Sequence, residues 1–395
     1  MNLLQITQTK IYPPTQGGEH RSHGLTLAFQ EGEHQTIRYC VGGPLSNHEL
    51  PEIEYEVKIN NKYKEIRPAN PLYDLPSIPS TLLNVPGTLV NQVLKYSPTR
   101  QLQSLVRWAD VILVQGPHLV PPVIRLANNT PVIYSSHNVE VDRWRTLSDS
   151  SVKRYFYNEL YENEKIAVEQ SDATICVSEA DKQRYDELFS PSSPMWIIPN
   201  GTSKANLRER NIECENRTVR ERYGIEANQR VAVFVGSDYG PNITAVEKLL
   251  QFAEHAEREG DAIHFLVAGT VCDYFEEEYS TLTLTGFIED IEEIYDVGDI
   301  ALNPITEGAG SNIKIVDYMA QSLPTITTSF GARGFDLTDG ETAFVRDLES
   351  FYYLIRHLDE DDLKKVGSSG QDLVREQYIW EVLSNTVLEY LQKVK

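Results

Sequence analysis

Short apolar runs that alternate with helix-like segments, twice along the chain, restrict the fold more than any other feature of the sequence. The first half has four such runs, at residues 3–6, 111–114, 132–134 and 173–177. The second half has four more, at residues 230–236, 264–269, 282–286 and 299–304. Strands that alternate with helices favour a parallel sheet covered on both faces. The sequence therefore predicts an α/β protein.

The length of the chain and one polar stretch predict two domains. A chain of 395 residues exceeds what one hydrophobic core usually supports. Residues 199–230 are polar and rich in Asn, Arg and Glu, so we expect the boundary where this stretch begins. Helix-like spacing occurs on either side of it, at residues 151–170 and 242–260. No internal period is visible, which argues against a repeat protein.

Cysteine and hydropathy patterns indicate a reducing compartment and no membrane span. Four widely spaced cysteines form no CxxC pair, namely Cys40, Cys176, Cys214 and Cys272. This spacing argues against a disulfide scaffold or a structural zinc site. The first residues lack the features of a signal peptide, and no apolar run reaches about 18 residues. We therefore expect a cytoplasmic protein.

The acidity of the chain argues against one class of partner and is unevenly distributed. The formal charge is −22, with 22 acidic and 18 basic residues in 1–200 but 36 acidic and 18 basic residues in 201–395. Binding to a phosphate backbone requires a basic surface, so no nucleic-acid partner is expected. The asymmetry suggests that the two halves face different molecules.

In the first half, two segments that follow predicted strands could bind a ligand. Gly17 and Gly18 come after the first strand, where paired glycines let the backbone approach a ligand and precede a helix start that suits an anion. His137 follows the strand at residues 132–134, where an imidazole could act as an acid/base group or orient a hydroxyl. The alternatives are an ordinary turn and a histidine that is only a hydrogen-bonded polar residue.

In the second half, residues 303–334 are the most informative segment. The segment combines a glycine loop with a helix start at residues 313–321, whose free N–H groups would point at phosphate oxygens. The residues of this loop and first turn are Gly308, Gly310, Ser311, Asn312 and Lys314. One turn further, Asp317 could accept hydrogen bonds from a ribose. The run GAGSNI lacks the third glycine of a dinucleotide fingerprint, which argues against a dehydrogenase.

A weaker signal of the same kind lies at residues 235–242. There Gly236 and Ser237 end a strand and precede a Pro-Asn helix start, which again leaves backbone N–H groups near a crevice. Such turns are common in α/β proteins, so this segment alone decides little.

Charge counting supports the loop at residues 303–334. Residues 231–363 contain 6 basic and 27 acidic residues, and two of the six, Lys314 and Arg333, flank this loop. A diphosphate needs cations to offset its charge. The alternative is that both cations simply pair with nearby carboxylates.

Two acidic runs, at residues 276–278 and 359–362, could be mistaken for a metal site. They lie in helical, polar surroundings, and no DxD motif ends a strand, so we expect no metal site.

Together these segments resemble glycosyltransferase family 4, a large group of retaining GT-B enzymes. The resemblance rests on the order of DATICVSEADKQRY, WIIPNGT, FVGSDYGPN, FLVAGT, LTGFIEDIEEIYDVGDIALNP and GAGSNIKIVDYMAQSLPTITTSFGARG, with PPTQGG and HNVE in the first half. It implies a GT-B fold, in which two Rossmann-like domains face each other across a central cleft. Residues 1–198 would form the acceptor-side domain and residues 199–376 the nucleotide-sugar domain, and a helix in residues 377–395 would cross back to the first.

The resemblance also implies roles for the candidate residues. Gly17 and Gly18 would approach the donor phosphates or the acceptor, and His137 would line the sugar and acceptor side. Lys314 would neutralise the leaving diphosphate, and Asp317 would hold the ribose. Gly310, Ser311 and Asn312 would bind the diphosphate through their backbone N–H groups. The other residues expected to bind the donor are Gly236, Ser237, Glu307, Gly308 and Arg333.

Two departures from the family pattern concern the donor. Many members carry two glutamates separated by seven residues; here Asp317 replaces the second, and the first position falls on Ala309, with Glu307 near but out of register. The family often has an Arg/Lys pair after the first strand of the second domain, where this chain has Ser-Asp-Tyr at residues 237–239. Lys314 could take over the task of that pair.

The resemblance implies a retaining glycosyltransferase that needs no metal and no cofactor and moves a sugar from a nucleotide-diphosphate donor to a saccharide or lipid-linked acceptor. The alternatives are a catalytically silent GT-B protein that binds a nucleotide sugar or a partner glycosyltransferase, and a GT-B epimerase or phosphorylase. A basic cluster at residues 58–67 and apolar residues 82–94 suggest peripheral membrane contact through the N-terminal domain. An exposed strand edge and a core helix explain the same residues equally well.

Overall fold

The chain divides into two compact units, each described here by itself. The computed structural model describes residues 1–14, 17–30, 34–43, 55–68, 71–145, 147, 150–208, 216–308 and 310–394. The N-terminal unit comprises Met1–Asn200 and Trp380–Lys395, and the C-terminal unit comprises Gly201–Ile379. Cys214 and Ala309, which enter the sequence predictions, lie outside the described residues.

The N-terminal unit is built on an eight-stranded sheet. Its strands are β1 (Asn2–Thr7), β2 (Gln35–Cys40), β3 (Glu56–Lys58), β4 (Tyr63–Ile66), β5 (Val111–Gln115), β6 (Val132–Ser135), β7 (Ala173–Cys176) and β8 (Met195–Ile197). They are hydrogen-bonded in the order β3-β4-β2-β1-β5-β6-β7-β8. Only the edge pair β3 and β4 is antiparallel among these strands. The carboxyl ends of the parallel strands therefore share one edge of the sheet, where ligands bind in open α/β sheets.

Helices cover both faces of this sheet, so that the side chains on each face of its strands are buried. Leu4 and Ile6 of β1 pack in one core, whereas Leu3 packs in another on the opposite face. The helices that precede the second unit are α1 (Gly17–Gly24), α2 (Ser77–Leu83), α3 (Val90–Tyr96), α4 (Arg100–Trp108), α5 (Val120–Ala127), α6 (Glu140–Arg143), α7 (Ser151–Gln170) and α8 (Glu179–Leu188). Short 3₁₀ turns occur at Leu27–Gln30, Pro71–Tyr73 and Pro117–Leu119.

The C-terminal unit repeats the design with six strands. These are β9 (Arg230–Val235), β10 (Ile263–Ala268), β11 (Leu282–Leu284), β12 (Ile300–Asn303), β13 (Thr325–Thr327) and β14 (Phe344–Val345). They are all parallel, in the order β11-β10-β9-β12-β13-β14. The helices are α9 (Asn216–Arg222), α10 (Gly240–Glu259), α11 (Glu292–Val297), α12 (Lys314–Ala320), α13 (Phe351–His357) and α14 (Glu360–Leu373), with 3₁₀ turns at Lys204–Asn206, Thr270–Tyr274 and Leu348–Ser350 and a π-helical turn at Val374–Tyr378.

The last helix, α15 (Trp380–Val394), belongs to the N-terminal unit. Its buried residues recur with helical spacing, so they form one face: Trp380, Leu383, Val387 and Leu391. This face packs on residues of the central strands, among them Leu3 and Val111. The helix thus completes the cover of one side of the eight-stranded sheet.

The eight apolar runs in the sequence correspond to strands β1, β5, β6, β7, β9, β10, β11 and β12. The sequence does not reveal β2, because Arg38 makes this strand appear half polar. In the structure the Arg38 side chain is buried and forms an ion pair with Glu65 of the neighbouring β4, with 2.9 Å between Nη1 and Oε2. The expectation of helical surroundings was wrong for residues 276–278, which lie outside any helix, whereas residues 359–362 begin α14 and Asp359 caps it.

The contact between α1 and α15 generates a stability prediction. A Cβ atom added to Gly24 would lie 2.2 Å from Cδ2 of the buried Trp380 ring, so Gly24→Ala forces α15 to shift. We expect a loss of about 1–3 kcal/mol in the free energy of unfolding, as for other overpacked cores. Denaturant unfolding followed by tryptophan fluorescence measures it. Gly240→Ala is the control, because nothing lies within 4 Å of an added Cβ there. Equal midpoints for the two variants would contradict the prediction.

Candidate functional site

In the C-terminal unit, two segments predicted to bind a ligand lie against each other. They follow β9 and β12, which are parallel neighbours, so both leave the sheet at the same edge. Lys314 Nζ donates a hydrogen bond to Asn242 Oδ1 at 2.8 Å. The hydroxyl of Thr244 donates to Glu307 Oε1 at 3.4 Å. The glycine turn after β9 and the glycine loop after β12 therefore form one site.

Packing explains why the turn after β9 begins with a glycine. A Cβ atom on Gly236 would lie 2.9 Å from the Phe234 ring and 3.1 Å from Val271 Cγ1. Asn242 Nδ2 donates to the carbonyl oxygen of Ser237 at 2.9 Å, which closes the turn onto the first residues of α10. Asn242 therefore has two tasks, since its other amide atom accepts from Lys314.

The loop after β12 adopts a backbone that needs glycine. Gly308 and Gly310 have φ angles of 118° and 73°, in the left-handed region. A Cβ on Gly308 would also lie 2.9 Å from Pro241 Cγ and 3.3 Å from the Tyr239 hydroxyl oxygen. The loop therefore lies flat against the start of α10, as its glycines predict.

Arg333 is tied to the carbonyl side of this loop. Its Nη2 donates to the carbonyl oxygens of Gly308 at 3.3 Å and Gly310 at 3.2 Å, and its Nε donates to the carbonyl oxygen of Phe330 at 3.0 Å. Asn312 Nδ2 donates to the carbonyl oxygen of Gly331 at 3.2 Å. Both side chains fix the loop shape, a role that the sequence did not suggest.

Lys314 is the first residue of α12 and, like Arg333, a cation next to the glycine loop. Its ammonium lies 4.0 Å from the centroid of the Phe234 ring. Burial lowers the pKa of Lys314 to about 7. Among the described residues it forms no ion pair, although acidic side chains dominate this unit. Pairing with a nearby carboxylate therefore does not explain this lysine.

Asp317 lies one turn after Lys314, as expected, but already has a partner. Its Oδ1 accepts a hydrogen bond from the hydroxyl of Thr202 at 2.7 Å. Burial raises the pKa of Asp317 to about 6, and the bond from Thr202 opposes this shift. A ribose at Asp317 would have to share the carboxylate with Thr202.

In the N-terminal unit, the structure brings Gly18 and His137 together. A Cβ atom on Gly18 would lie 3.2 Å from His137 Nδ1. Gly17 begins α1, which follows β1, and His137 follows β6, so both lie at the edge that carries the strand carboxyl ends. Because the backbone at position 18 lies so close to the His137 ring, this position requires a small residue.

His137 differs from the sequence expectation in its electrostatics. Burial lowers its pKa to about 3, with the positive charges of Arg21 and Arg143 acting in the same direction. A near-neutral pKa was the basis for an acid/base role, so that argument does not hold. A neutral imidazole suits the other expected role, the orientation of a hydroxyl.

Two buried residues near this edge gave no signal in the sequence. Glu65 accepts hydrogen bonds from the backbone N–H groups of Ile11 and Tyr12, both at 3.1 Å, and so fixes the segment after β1. Arg21 of α1 donates from Nη1 to the carbonyl oxygen of Pro199 at 2.9 Å and is 1% exposed. Long-range pairs of this kind depend on the folded arrangement.

Among the described residues, no group of three or more His, Cys, Asp or Glu side chains is arranged to hold a metal ion. None of the helices described has the length and apolar composition needed to cross a bilayer.

Two family models match the chain. The model for glycosyltransferase family 4 matches residues 48–205, and the model for glycosyl transferases group 1 matches residues 229–361. A comparison with curated protein sequences finds no match.

Solved structures share the fold along the whole length of the chain. Sucrose-phosphate synthase from Thermosynechococcus elongatus is 13% identical, with a TM-score of 0.70 and coverage of 100% of this chain and 99% of that one. Anabaena Alr3699/HepE in complex with UDP is 12% identical, with a TM-score of 0.68 and complete coverage of both chains. A UDP-forming trehalose-phosphate synthase from Burkholderia xenovorans is 12% identical, with a TM-score of 0.65 and coverage of 99% of each chain.

The expected fold class is confirmed by two parallel α/β units and by these structural matches. The two family models together span most of both units. The chain therefore belongs to the glycosyltransferases of the group 1 and family 4 type, with the GT-B fold.

Proposed function

We propose that this protein transfers a sugar from a nucleotide-diphosphate donor, bound by the C-terminal unit, to a saccharide or lipid-linked acceptor, with retention of configuration and without a metal. The observation that carries the proposal is Lys314, an ammonium held beside a glycine loop with no ion-pair partner among the described residues. The Anabaena HepE structures are complexes with UDP and with UDP-glucose, which makes uridine diphosphate sugars the first donors to test.

The proposed sugar transfer requires the site to stabilise a departing diphosphate. Lys314 would supply the charge, and the backbone amides of Ser311 and Asn312 would supply hydrogen bonds, in a fixed arrangement that costs no reorganisation. Arg333 would hold the loop that presents these amides. In this proposal the ammonium of Lys314 supplies the positive charge that a metal ion would otherwise supply, and this supports transfer without a metal.

The remaining candidates have supporting roles. Asp317 would bind the ribose and share its carboxylate with Thr202. His137, held neutral by burial, would orient an acceptor or sugar hydroxyl beside Gly18. Among the described residues of the site, the carboxylates Glu307 and Asp317 have donor-binding roles in this proposal and none is assigned as a nucleophile. This favours attack by the acceptor from the side of the leaving group over a covalent intermediate.

Lys314→Gln tests the proposal directly. Because the ammonium would stabilise the leaving diphosphate, we expect turnover of the donor to fall by about 10²-fold or more. A thermal-shift screen with uridine, guanosine and adenosine diphosphate sugars identifies the nucleotide, and release of nucleoside diphosphate then measures turnover. Lys248→Gln changes the net charge of the same unit equally and serves as the control.

Near-normal turnover of Lys314→Gln would exclude the assigned role. Donor binding by the wild type without transfer or hydrolysis would favour the alternative of a catalytically silent nucleotide-sugar-binding protein. The two results are distinguishable, because the first leaves an active enzyme and the second leaves none.

The depressed pKa of Lys314 predicts a pH dependence of donor binding. An anionic diphosphate raises the pKa of the lysine in the complex, so binding takes up a proton above pH 7. We expect the affinity for UDP-glucose to be full below about pH 7 and to fall by up to about tenfold per pH unit above it. Calorimetry between pH 7 and 9 measures this, since both phosphates of UDP-glucose are diesters and stay ionised. A flat profile in the wild type would contradict it.

An exposed apolar stripe in the N-terminal unit supports peripheral membrane contact as part of this proposal. Leu75, Ile78 and Leu82 are 55%, 45% and 78% exposed, and no residue of α2 is buried. Residues 71–108 carry three exposed cations and a single, buried carboxylate, in a strongly acidic chain: Lys95, Arg100, Arg107 and Asp74. Exposed apolar side chains in a stretch that also carries exposed cations suit the surface of an anionic bilayer, which could present a lipid-linked acceptor.

The basic cluster at residues 58–67 contributes less than its sequence suggests. Lys64 pairs with Glu56 at 3.0 Å across β3 and β4, and the buried Arg67 pairs with Glu65 at 2.8 Å. The alternative of a strand edge therefore describes this segment. Of the apolar residues 82–94, Leu82 is exposed, whereas Leu94 is buried.

Removal of the apolar stripe tests the membrane contact. We expect the wild type to float with vesicles that contain anionic phosphatidylglycerol, less so at high salt, and the variant Leu75→Ser with Leu82→Ser to stay in solution. Phe287→Ser is the control, because this side chain is 73% exposed in the other unit. Flotation unchanged by the double substitution, or absent in the wild type at low salt, would refute the contact.

A further inference from the structure

The two carboxylate oxygens of Asp317 have different surroundings. Oδ1 accepts a hydrogen bond from the hydroxyl of Thr202 at 2.7 Å. No hydrogen bond to Oδ2 occurs among the described residues, and Asp317 is only partly buried. An ionised carboxylate accepts hydrogen bonds at both of its oxygens. Oδ2 can therefore accept a hydrogen bond from a bound ligand while Oδ1 keeps its bond to the protein.

The direction of the hydrogen bond from Thr202 is fixed by a third side chain. Asn206 Nδ2 donates to the same hydroxyl oxygen, also at 2.7 Å. Because the amide supplies the hydrogen in this contact, the single hydrogen of the Thr202 hydroxyl is left for Asp317. Asn206, Thr202 and Asp317 therefore form a chain of hydrogen bonds that ends on one carboxylate oxygen.

Further contacts hold this chain of side chains against α12. The N–H of Thr202 donates to the carbonyl oxygen of Tyr378 at 2.8 Å, and Thr202 is 3% exposed. Gln321, about one turn after Asp317, donates from Nε2 to the carbonyl oxygen of Asn206 at 3.0 Å. The segment that carries Thr202 and Asn206 is therefore bound to α12 at two points, and the Thr202 hydroxyl has a fixed place relative to the carboxylate.

A hydrogen bond to one oxygen of Asp317 decides where the other oxygen lies. Rotation of a carboxylate about its terminal Cβ–Cγ bond is broad and weakly restricted. The Thr202 hydroxyl restricts this rotation by holding Oδ1. A group that is held in its binding orientation before the ligand arrives loses less entropy on binding. Oδ2 is thus preorganised to accept a hydrogen bond.

We propose that Thr202, oriented by Asn206, is a positioning residue for the donor: it holds Asp317 through Oδ1, so that Oδ2 accepts a hydrogen bond from a ribose hydroxyl. The inference rests on the proposed function, in which Asp317 binds the ribose. Thr202 and the ribose then use different oxygens of one carboxylate. In the opposite case, the ribose would displace Thr202 from Oδ1, and the bond from Thr202 would oppose donor binding.

Thr202→Val distinguishes these two cases, because valine keeps the branched shape of threonine and removes the hydroxyl. For a positioning residue, we expect the affinity for UDP to fall about tenfold, whereas competition would make it rise. Thr202→Ser keeps the hydroxyl and should bind UDP as the wild type does. Calorimetry at a single pH near 7 measures the affinities, with GDP or ADP in place of UDP if the thermal-shift screen selects that nucleotide.

Deoxy analogues of the nucleotide supply a readout that a loss of stability would not change. We expect the wild type and Thr202→Ser to bind UDP at least about tenfold more tightly than the weaker of 2′-deoxy-UDP and 3′-deoxy-UDP. This preference should shrink several-fold in Thr202→Val, because the carboxylate is no longer held toward the hydroxyl that the analogue lacks.

Thr281→Val is the matched control for this preference. Thr281 is buried in the same unit, and its hydroxyl donates to the carbonyl oxygen of Ala253 at 2.7 Å. The substitution therefore removes a buried hydroxyl and one hydrogen bond, as Thr202→Val does. We expect Thr281→Val to lose stability and to keep the preference of the wild type.

Asn206→Ala provides a second variant, which leaves the buried Thr202 in place. Asn206 is partly exposed, so its truncation should not prevent folding. Without the amide, the hydroxyl of Thr202 is free to turn away from Asp317. We expect the preference for UDP to fall in the same direction as in Thr202→Val, but by less. A preference equal to that of the wild type would overturn the role of Asn206.

A titration of Asp317 tests the hydrogen bond without any nucleotide. Burial raises the pKa of Asp317 to about 6, and the bond from Thr202 lowers it. Removal of this bond in Thr202→Val should therefore raise the pKa further, whereas Thr202→Ser should stay close to the wild type. The ¹³C signal of the carboxyl carbon, assigned with Asp317→Asn, reports the titration. Equal pKa values in all three proteins would overturn the support of the carboxylate by Thr202.

The outcomes separate the positioning role from the proposed function. Tighter binding by Thr202→Val, an unchanged preference for UDP in this variant, or a Thr202→Ser variant that is equally impaired would overturn the positioning role. Failure of the wild type to bind UDP, GDP or ADP would overturn the proposed function and the ribose site with it. The titration of Asp317 would then still decide whether Thr202 holds the carboxylate.

Discussion

Parallel pairing of β9 with β12 is the constraint on which the candidate donor site depends. Two strands that run side by side in one direction release their following segments at the same edge, whatever lies between them in sequence. Gly236 and Gly308 are far apart along the chain, yet both of their turns contact the start of α10. The parallel pairing therefore brings two glycine turns that are distant in sequence together on one surface.

Burial sets the electrostatic character of both candidate sites. In the C-terminal unit it depresses the pKa of Lys314 and raises that of Asp317, so the site holds groups that titrate near neutrality. In the N-terminal unit it keeps His137 neutral. Such groups are sensitive to an arriving anion, because a small change in local charge changes their protonation.

Sequence reasoning succeeded where one residue type suffices for one structural task. Hydrophobic runs marked the central strands, and glycines marked the loops that need a left-handed backbone. It failed where a strand is short or carries a buried ion pair, as with Arg38 in β2. It also missed Arg21 and Glu65, which form hydrogen bonds to residues as far as 178 positions away in the chain.

The sequence by itself determined the α/β class, the two repeated sets of strands, the glycine loop and its lysine, because these depend on local propensity and on the spacing of residues. Only the tertiary structure decided what those residues touch. Lys314 rests on Asn242 and Phe234 without an ion-pair partner in the described chain, and Asp317 binds Thr202. Hydrogen bonds and pKa shifts arise from burial and from long-range neighbours, which exist only once the sheets have formed.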